Sequence, residues 1–167
     1  MHQPMHQLMH QAREMRRKDK EVTDVKWMED VLRQANFLHL GLSGDDGWPY
    51  VVPVCYGYKD MTLYFHGALE GMKRDILLAN QRACFQVTVD AEVIRSDTAQ
   101  SFSMYFKSVT GFGFVKTLED IDEKTDALNI LMDQYSGPHV NLRELKMPVW
   151  VARLDIESMT GKAKVKK

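Results

Sequence analysis

From Phe37 to Ala68 the chain alternates short apolar runs with turn signals, and no other feature limits its fold as strongly. FLHLGL is followed by the polar turn SGDDG, then by WPYVVPVCYGY, rich in β-branched and aromatic residues, then by the turn KD and by TLYFHGA. Runs of this kind bounded by Gly, Asp and Pro predict strands, and turns this tight predict antiparallel neighbours. RACFQVTVD and SMYFKSVTGFGFVKTL read as two further strands, and MPVWVARLDIESMTGK as the last. Trp27, Met28, Val31, Leu32 and Ala35 recur at helical spacing behind Thr23 or Asp24 as cap. A second helix is predicted over about Glu70 to Asn80. A third covers about Glu119 to Tyr135, capped by Thr117 or a neighbour and stopped by Gly137-Pro138. Six or so strands with helices between some of them predict a small antiparallel barrel with helices packed outside.

The chain has 167 residues, 44% hydrophobic and 27% charged, which suits one domain with a sizeable core. A formal charge of −1 leaves no whole-protein field to draw in nucleic acid or an anionic membrane, so any anion site must be local. No uncharged apolar run approaches membrane-spanning length, and the N-terminus lacks the apolar core of a secretion signal. The expectation is a soluble, cytoplasmic protein with neither a nucleic-acid nor a membrane partner. Cys55 and Cys84 sit within apolar runs without zinc or redox spacing, and are expected to be small buried hydrophobes. The period-four MHQPMHQLMHQA would set His2, His6 and His10 on one helix face, where they could bind a soft or borderline metal. Pro4 and the lack of any joining carboxylate or cysteine favour a flexible extension instead. The reading is therefore a flexible extension over residues 1–22, no metal site, and one folded domain over residues 23–167.

YFHGALEGMKRDILLAN, Tyr64 to Asn80, carries the chemical signal. A strand that runs into a helix leaves free backbone N–H groups and a positive dipole end at the helix start, a natural seat for an anion. Lys73 and Arg74 in the first turns oppose that dipole unless an anion joins them, which makes a phosphate the candidate ligand. No GxGxxG is present, so a nucleotide would be held by strand ends and a helix terminus, not by a Rossmann loop.

The succession DDGWPYVVPVCYGY, LYFHGALEGMKRDIL, YFKSVTGFGFV and VARLDIESMTGK resembles the FMN-binding split barrels related to pyridoxamine 5′-phosphate oxidase, most closely their nitroimidazole-resistance branch, over about Met15 to Lys162. The resemblance implies a mainly β, Greek-key-like split barrel with flanking helices, a homodimer, and FMN at the subunit interface. It implies a phosphate cradle made by His66, the backbone at Gly71 and Met72, and Lys73, with Arg74 the competing cation. Val51, Val52, Pro53, Val54 and Cys55 would wall the flavin ring, with Phe65 beside His66 in the YFH motif. Ser108 would lie against the flavin, and Trp150 would flank the ring from the partner subunit. Each has an ordinary alternative: an edge strand, a solvent-facing hydroxyl, a core tryptophan. His66 is the implied catalytic residue, positioning or protonating a small oxidised organic substrate such as a nitroimidazole, with Tyr64 and Tyr105 as pocket walls or core. Two departures matter. The chain ends MTGKAKVKK without the Arg-x-His element that binds the vitamer phosphate, which argues against vitamin B6 oxidation, and Met72 stands where an arginine commonly precedes the lysine. Two other functions fit the same barrel: a haem-binding or haem-handling protein with His39, His66 or His139 as axial ligand, and a flavin-binding protein without catalysis.

Overall fold

A computed structural model describes residues 14–145 and 147–166, so the pattern of His2, His6 and His10 lies outside the described residues. The chain runs β1 (Glu21–Val22), α1 (Val25–Gln34), β2 (Leu38–Ser43), β3 (Pro49–Val54), β4 (Gly57–Lys59), β5 (Thr62–Gly67), α2 (Met72–Ala79), β6 (Arg82–Ile94), β7 (Ser103–Leu118), α3 (Ile121–Gln134), α4 (Leu142–Leu145) and β8 (Trp150–Lys164). The strands form one antiparallel sheet in the order β3-β2-β6-β7-β8-β5-β4, with β1 added against β8.

The connection between the two sheet edges sets the shape. β3 and β4 stand at opposite ends of that order, yet only Cys55 and Tyr56 join them. Two residues reach at most roughly 7 Å. The sheet must therefore curl until its edges meet, and since β3 and β4 do not pair, the barrel stays split. β4 covers only Thr62 to Tyr64 of β5, leaving Phe65, His66 and Gly67 bonded to β8 alone. The split thus opens between the outer edge of β3 and the end of β5.

Alternation places the core. Leu38, Leu40 and Leu42 of β2 point inward while His39 and Ser43 face out, and Phe65, Phe85, Val87, Val109 and Leu154 fill the barrel from the other strands. Asp24 caps α1, accepting from the Trp27 N–H at 3.1 Å, and the helix lays Met28, Val31 and Leu32 on the barrel. Tyr56 is fully buried and its hydroxyl donates to the Leu32 carbonyl. Gly57 lets α3 approach: a Cβ there would stand 2.6 Å from the backbone of Ile130 and Leu131.

Several expectations change in detail. The single run WPYVVPVCYGY divides into β3 and β4, because the chain crosses from one sheet edge to the other at Cys55 and Tyr56. That crossing leaves Cys55 exposed, and Cys84, on the outer face of β6, is only half-buried, so neither is the buried hydrophobe expected. Asp120 caps α3, accepting from the N–H groups of Asp122 at 2.9 Å and Glu123 at 3.0 Å, while the Thr117 hydroxyl serves the Trp150 indole instead. β6 continues past Asp90, where the pairing with β7 is irregular and φ is +53°. Within the stretch expected to be an extension, Glu21 and Val22 pair with Lys162 and Gly161 of β8. No helix among the described residues is long and apolar enough to cross a membrane.

Candidate functional site

The end of β5 and the start of α2 bring together a cation, an imidazole and unsatisfied N–H groups. Lys73 folds back over the barrel end with its amine 5.8 Å from the Trp150 ring centroid and 6.0 Å from that of Phe65. Gly67 makes the room, since a Cβ there would stand 3.1 Å from the amine. Among the described residues no carboxylate pairs with Lys73, and partial burial lowers its pKa. Burial first, and the charge of Lys73 second, lower the pKa of His66. Its ring is therefore neutral at neutral pH.

α2 begins at Gly71 with φ +121°, a conformation side chains rarely adopt, and no side chain caps it. Its first intrahelical bond runs from the Asp75 N–H to the Gly71 carbonyl, so the N–H groups ahead of Asp75 have no acceptor within the helix. Arg74 adds a buried Nε that has no hydrogen-bond partner among the described residues. An unpaired amine, an uncapped helix N-terminus and an orphaned guanidinium nitrogen fit a dianionic phosphate.

The proposed ring wall is the free edge of the sheet. Val51 is 63% exposed, Pro53 and Cys55 are exposed, Val52 is half-buried and Val54 lies in the core. Outward side chains alternate with inward ones, and among the described residues the strand pairs with β2 alone, so the backbone groups on its other side lie outside the sheet. Met72 is exposed beside the helix start. Phe65 and Trp150, at 1% and 3% exposure, are core side chains, edge-on to each other at 5.9 Å, and form the floor under Lys73. The core alternative for Trp150 therefore describes its place within one chain, and Phe65 can offer a ligand only its backbone.

Ser108 is not brought to this site. It pairs with Lys162, its hydroxyl donating to the Lys162 carbonyl at 3.3 Å, whereas the strand end beside Trp150 is Leu118, paired with Val151. Ten residues of β7 separate Ser108 from Leu118, roughly 30 Å of strand. Only a second copy could deliver Ser108 to Lys73. The other histidines lie elsewhere: His39 is edge-on to Phe37 at 5.4 Å, and the His139 Nε2 is held 2.6 Å from Asp133. Tyr64 packs with Leu118, Leu128 and Val151, and the Lys166 amine stands 5.7 Å from the Tyr105 ring. Sequence reasoning left unused Gly67 and the floor of Phe65 and Trp150; the spacing YFHG, which puts a glycine beside the histidine, was the available signal.

Two hollows adjoin these elements. One of about 480 Å³ lies on the outer sheet face among Gly41, Val51, Cys84, Phe112 and Phe114. The other, about 440 Å³, is lined by Leu69, Ile121, Leu142, Met147 and Val149 with Glu119 and Lys124, and touches the loop that joins β5 to α2.

Residues 24–163 match the protein family described as pyridoxamine 5′-phosphate oxidase. Among solved structures, a candidate 5-nitroimidazole antibiotic resistance protein from Bacteroides thetaiotaomicron shares 30% identity over 85% of each chain, with a TM-score of 0.74. An FAD-binding protein from Mesorhizobium loti shares 25% identity over 85% of this chain and 96% of its own, TM-score 0.61. An FAD- and haem-binding protein from Mycobacterium smegmatis shares 21% identity over 88% of this chain and 74% of its own, TM-score 0.76, a likeness of fold. No curated protein sequence matches the chain.

Proposed function

The chain belongs to the pyridoxamine 5′-phosphate oxidase family, and from that membership we propose that it is an FMN-dependent oxidoreductase that passes electrons to a small oxidised organic compound of the nitroimidazole class. The observation that carries this reading is the half-buried amine of Lys73, without a carboxylate partner among the described residues, beside His66 and in the first turn of an uncapped helix. Lys73 and the N–H groups of α2 would hold the FMN phosphate, with the orphaned Nε of Arg74 as a second donor. The free edge of β3, Val51 to Cys55, would give backbone hydrogen bonds to the flavin ring, and Val51 its apolar face. FMN, once bound, supplies hydride or single-electron transfer.

His66 would take the proton's part. A neutral imidazole donates one N–H and accepts at its other nitrogen, so it can orient an acceptor's polar group and relay a proton to it. Burial disfavours the charged His66 ring most and the Lys73 amine adds to it, so an anion that offsets the amine would raise the histidine's proton affinity in part and couple it to phosphate binding. The functional unit is a homodimer, in which the Ser108 face of one copy completes the Lys73 site of the other. The test is the visible spectrum of the purified protein with mass analysis of the small molecule it releases. Flavin bands with FMN released support the reading; a haem Soret band with no flavin overturns it.

A further inference from the structure

The hairpin that joins β6 to β7 leaves the barrel as a two-stranded ribbon. Among the described residues β2 pairs with β6 no farther than Gln86, and β8 with β7 no farther than Phe106, while β6 and β7 go on pairing through Glu92–Tyr105, Val93–Met104 and Ile94–Ser103. Cross-strand partners share a face, so Val93 and Met104 lie on one side. Phe102, extended at φ −60° and ψ 134°, adds a further apolar side chain to that side. The opposite side is covered from within the chain: the Lys166 amine is 2.8 Å from Glu92 and 5.7 Å from the Tyr105 ring centroid. Val93, Phe102 and Met104, by contrast, are 50%, 49% and 44% exposed. An apolar patch on a ribbon with no core beneath it marks a contact surface.

Two-fold symmetry indicates what covers it. Met104, Phe106, Ser108, Phe112 and Phe114 alternate along a single face of β7, the face that carries the hollow beside Val51. In a dimer where Ser108 of one copy meets Lys73 at the Leu118 end of the other, the axis passes midway along this stretch, near Gly113, and reverses the direction of β7. Phe112 and Phe114 flank that point. The reversed strand then runs on past Lys73, reaching Met104 after roughly 13 Å and Phe102 after roughly 20 Å, beyond the barrel end. Apolar side chains stand exposed there as well. Leu69 and Met72, on either side of Gly71, are 50% and 56% exposed, and Leu69 also lines the hollow that Val149 shares.

We propose that the β6–β7 ribbon of one copy reaches over the barrel end of the other, where Phe102 and Met104 form the outer wall of the electron acceptor's pocket above Leu69 and Met72. The contact rests on the homodimer reading, and the pocket on the oxidoreductase reading. A ring and a flexible thioether make an apolar wall that moulds to a flat compound, so this wall favours ring compounds of the nitroimidazole class over small charged acceptors.

Cross-linking tests the contact. In a Cys55→Ser/Cys84→Ser background, Leu69→Cys and Phe102→Cys carried together should give a covalent dimer with a short bismaleimide, and neither cysteine alone should. Reoxidation of photoreduced FMN on the full chain tests the wall. In Phe102→Ser/Met104→Ser, whose side chains are exposed in the single chain, the nitroimidazole concentration that gives half the maximal rate should rise at least fivefold, with FMN affinity within threefold and the dimer intact by sedimentation. Phe102→Leu/Met104→Leu should keep that concentration within twofold of the wild type. A sedimenting dimer that does not cross-link overturns the ribbon contact and leaves the shared flavin site standing. An unchanged half-saturating concentration in the serine variant, or its dissociation into monomers, overturns the pocket wall. A monomeric wild type overturns the homodimer reading and the contact together. If the copies cross-link and no flavin binds, the FMN reading falls and takes the acceptor pocket with it, while the contact between copies stands.

Discussion

The amine of Lys73 lies 5.8 Å from the ring centroid of Trp150, on the barrel end that Gly67 leaves open. A lysine in the first turn of a helix opposes the helix dipole, and this one is also half-buried, with no carboxylate partner among the described residues. Both costs fall away when a dianion binds at the start of α2. Lys73→Ala should therefore weaken FMN by about 1.5 to 3 kcal/mol, the range for a charged hydrogen bond, and leave riboflavin, which lacks the phosphate, almost unchanged. Fluorescence quenching with both flavins measures this. Equal weakening of the two would make Lys73 structural and leave Arg74 as the phosphate ligand.

His66→Ala separates catalysis from binding. The side chain stands beside the phosphate region but offers proton transfer, not fixed charge, so FMN affinity should change little. The rate at which photoreduced FMN on the protein is reoxidised by a nitroimidazole, without oxygen, should fall about a hundredfold or more. Reoxidation at the wild-type rate would support the non-catalytic flavin protein.

The pH behaviour of His66 follows from the causes of its shift. Burial, then Lys73, disfavour the charged ring, so the folded pKa lies below the usual value of about 6.5 and the unfolded one near it. Above about pH 6.5 the residue leaves stability untouched; as pH falls from there to the folded pKa the unfolded chain binds the proton more readily and stability is lost, and the loss is complete once pH has passed through the folded pKa. NMR titration of the imidazole should show the low value, a rise in Lys73→Ala that is only partial because burial is the larger cause, and a further rise when FMN binds. A His66 pKa unmoved by Lys73→Ala would mean the two side chains are not coupled.

How much of this could be read from the sequence depends on how local the cause is. The strands and three helices follow from alternation, helical spacing and turn chemistry, and these lie within a few residues of each other. FLHLGL becomes β2 and SMYFKSVTGFGFVKTL becomes β7 for that reason. Cys55 escaped the reading because its exposure comes from a crossing between sheet edges that are remote in the pairing order. The pairing of Glu21 with Lys162 spans nearly the whole chain and has no local signature. In the site, the passage from strand to helix between His66 and Lys73 was legible from the sequence. The floor of Phe65 and Trp150 was not, because β5 and β8 meet only through the barrel.

Gly57 tests the packing that holds the split in place. Gly57 of β4 passes so close to α3 that a Cβ would stand 2.6 Å from the backbone of Ile130 and Leu131, and backbone atoms cannot swing aside as a side-chain tip can. Gly57→Ala should destabilise the protein by roughly 2 kcal/mol or more, by forcing the helix away from the strand. Urea denaturation measures it. A change below about 0.5 kcal/mol, the size of an ordinary surface substitution, would mean that α3 slides freely on the barrel.

The last prediction concerns the second copy. Within one chain, Ser108 lies roughly 30 Å of strand away from the end of β7 beside Trp150. The sheet face around Val51, 63% exposed, also carries an apolar hollow of about 480 Å³ that includes Phe112 and Phe114. A face of this kind on a flavin-sized site is best closed by a symmetric partner, which would bring its own Ser108 to the Lys73 of the first. Sedimentation should therefore show a dimer at micromolar concentration. Val51→Glu, which places a charge on that face at a position already exposed and so costs the single chain little, should yield monomer and lose FMN together. A wild-type monomer that binds FMN would overturn the shared site. A Val51→Glu monomer that keeps full FMN affinity would show that one chain holds the flavin alone, with Ser108 playing no part in it.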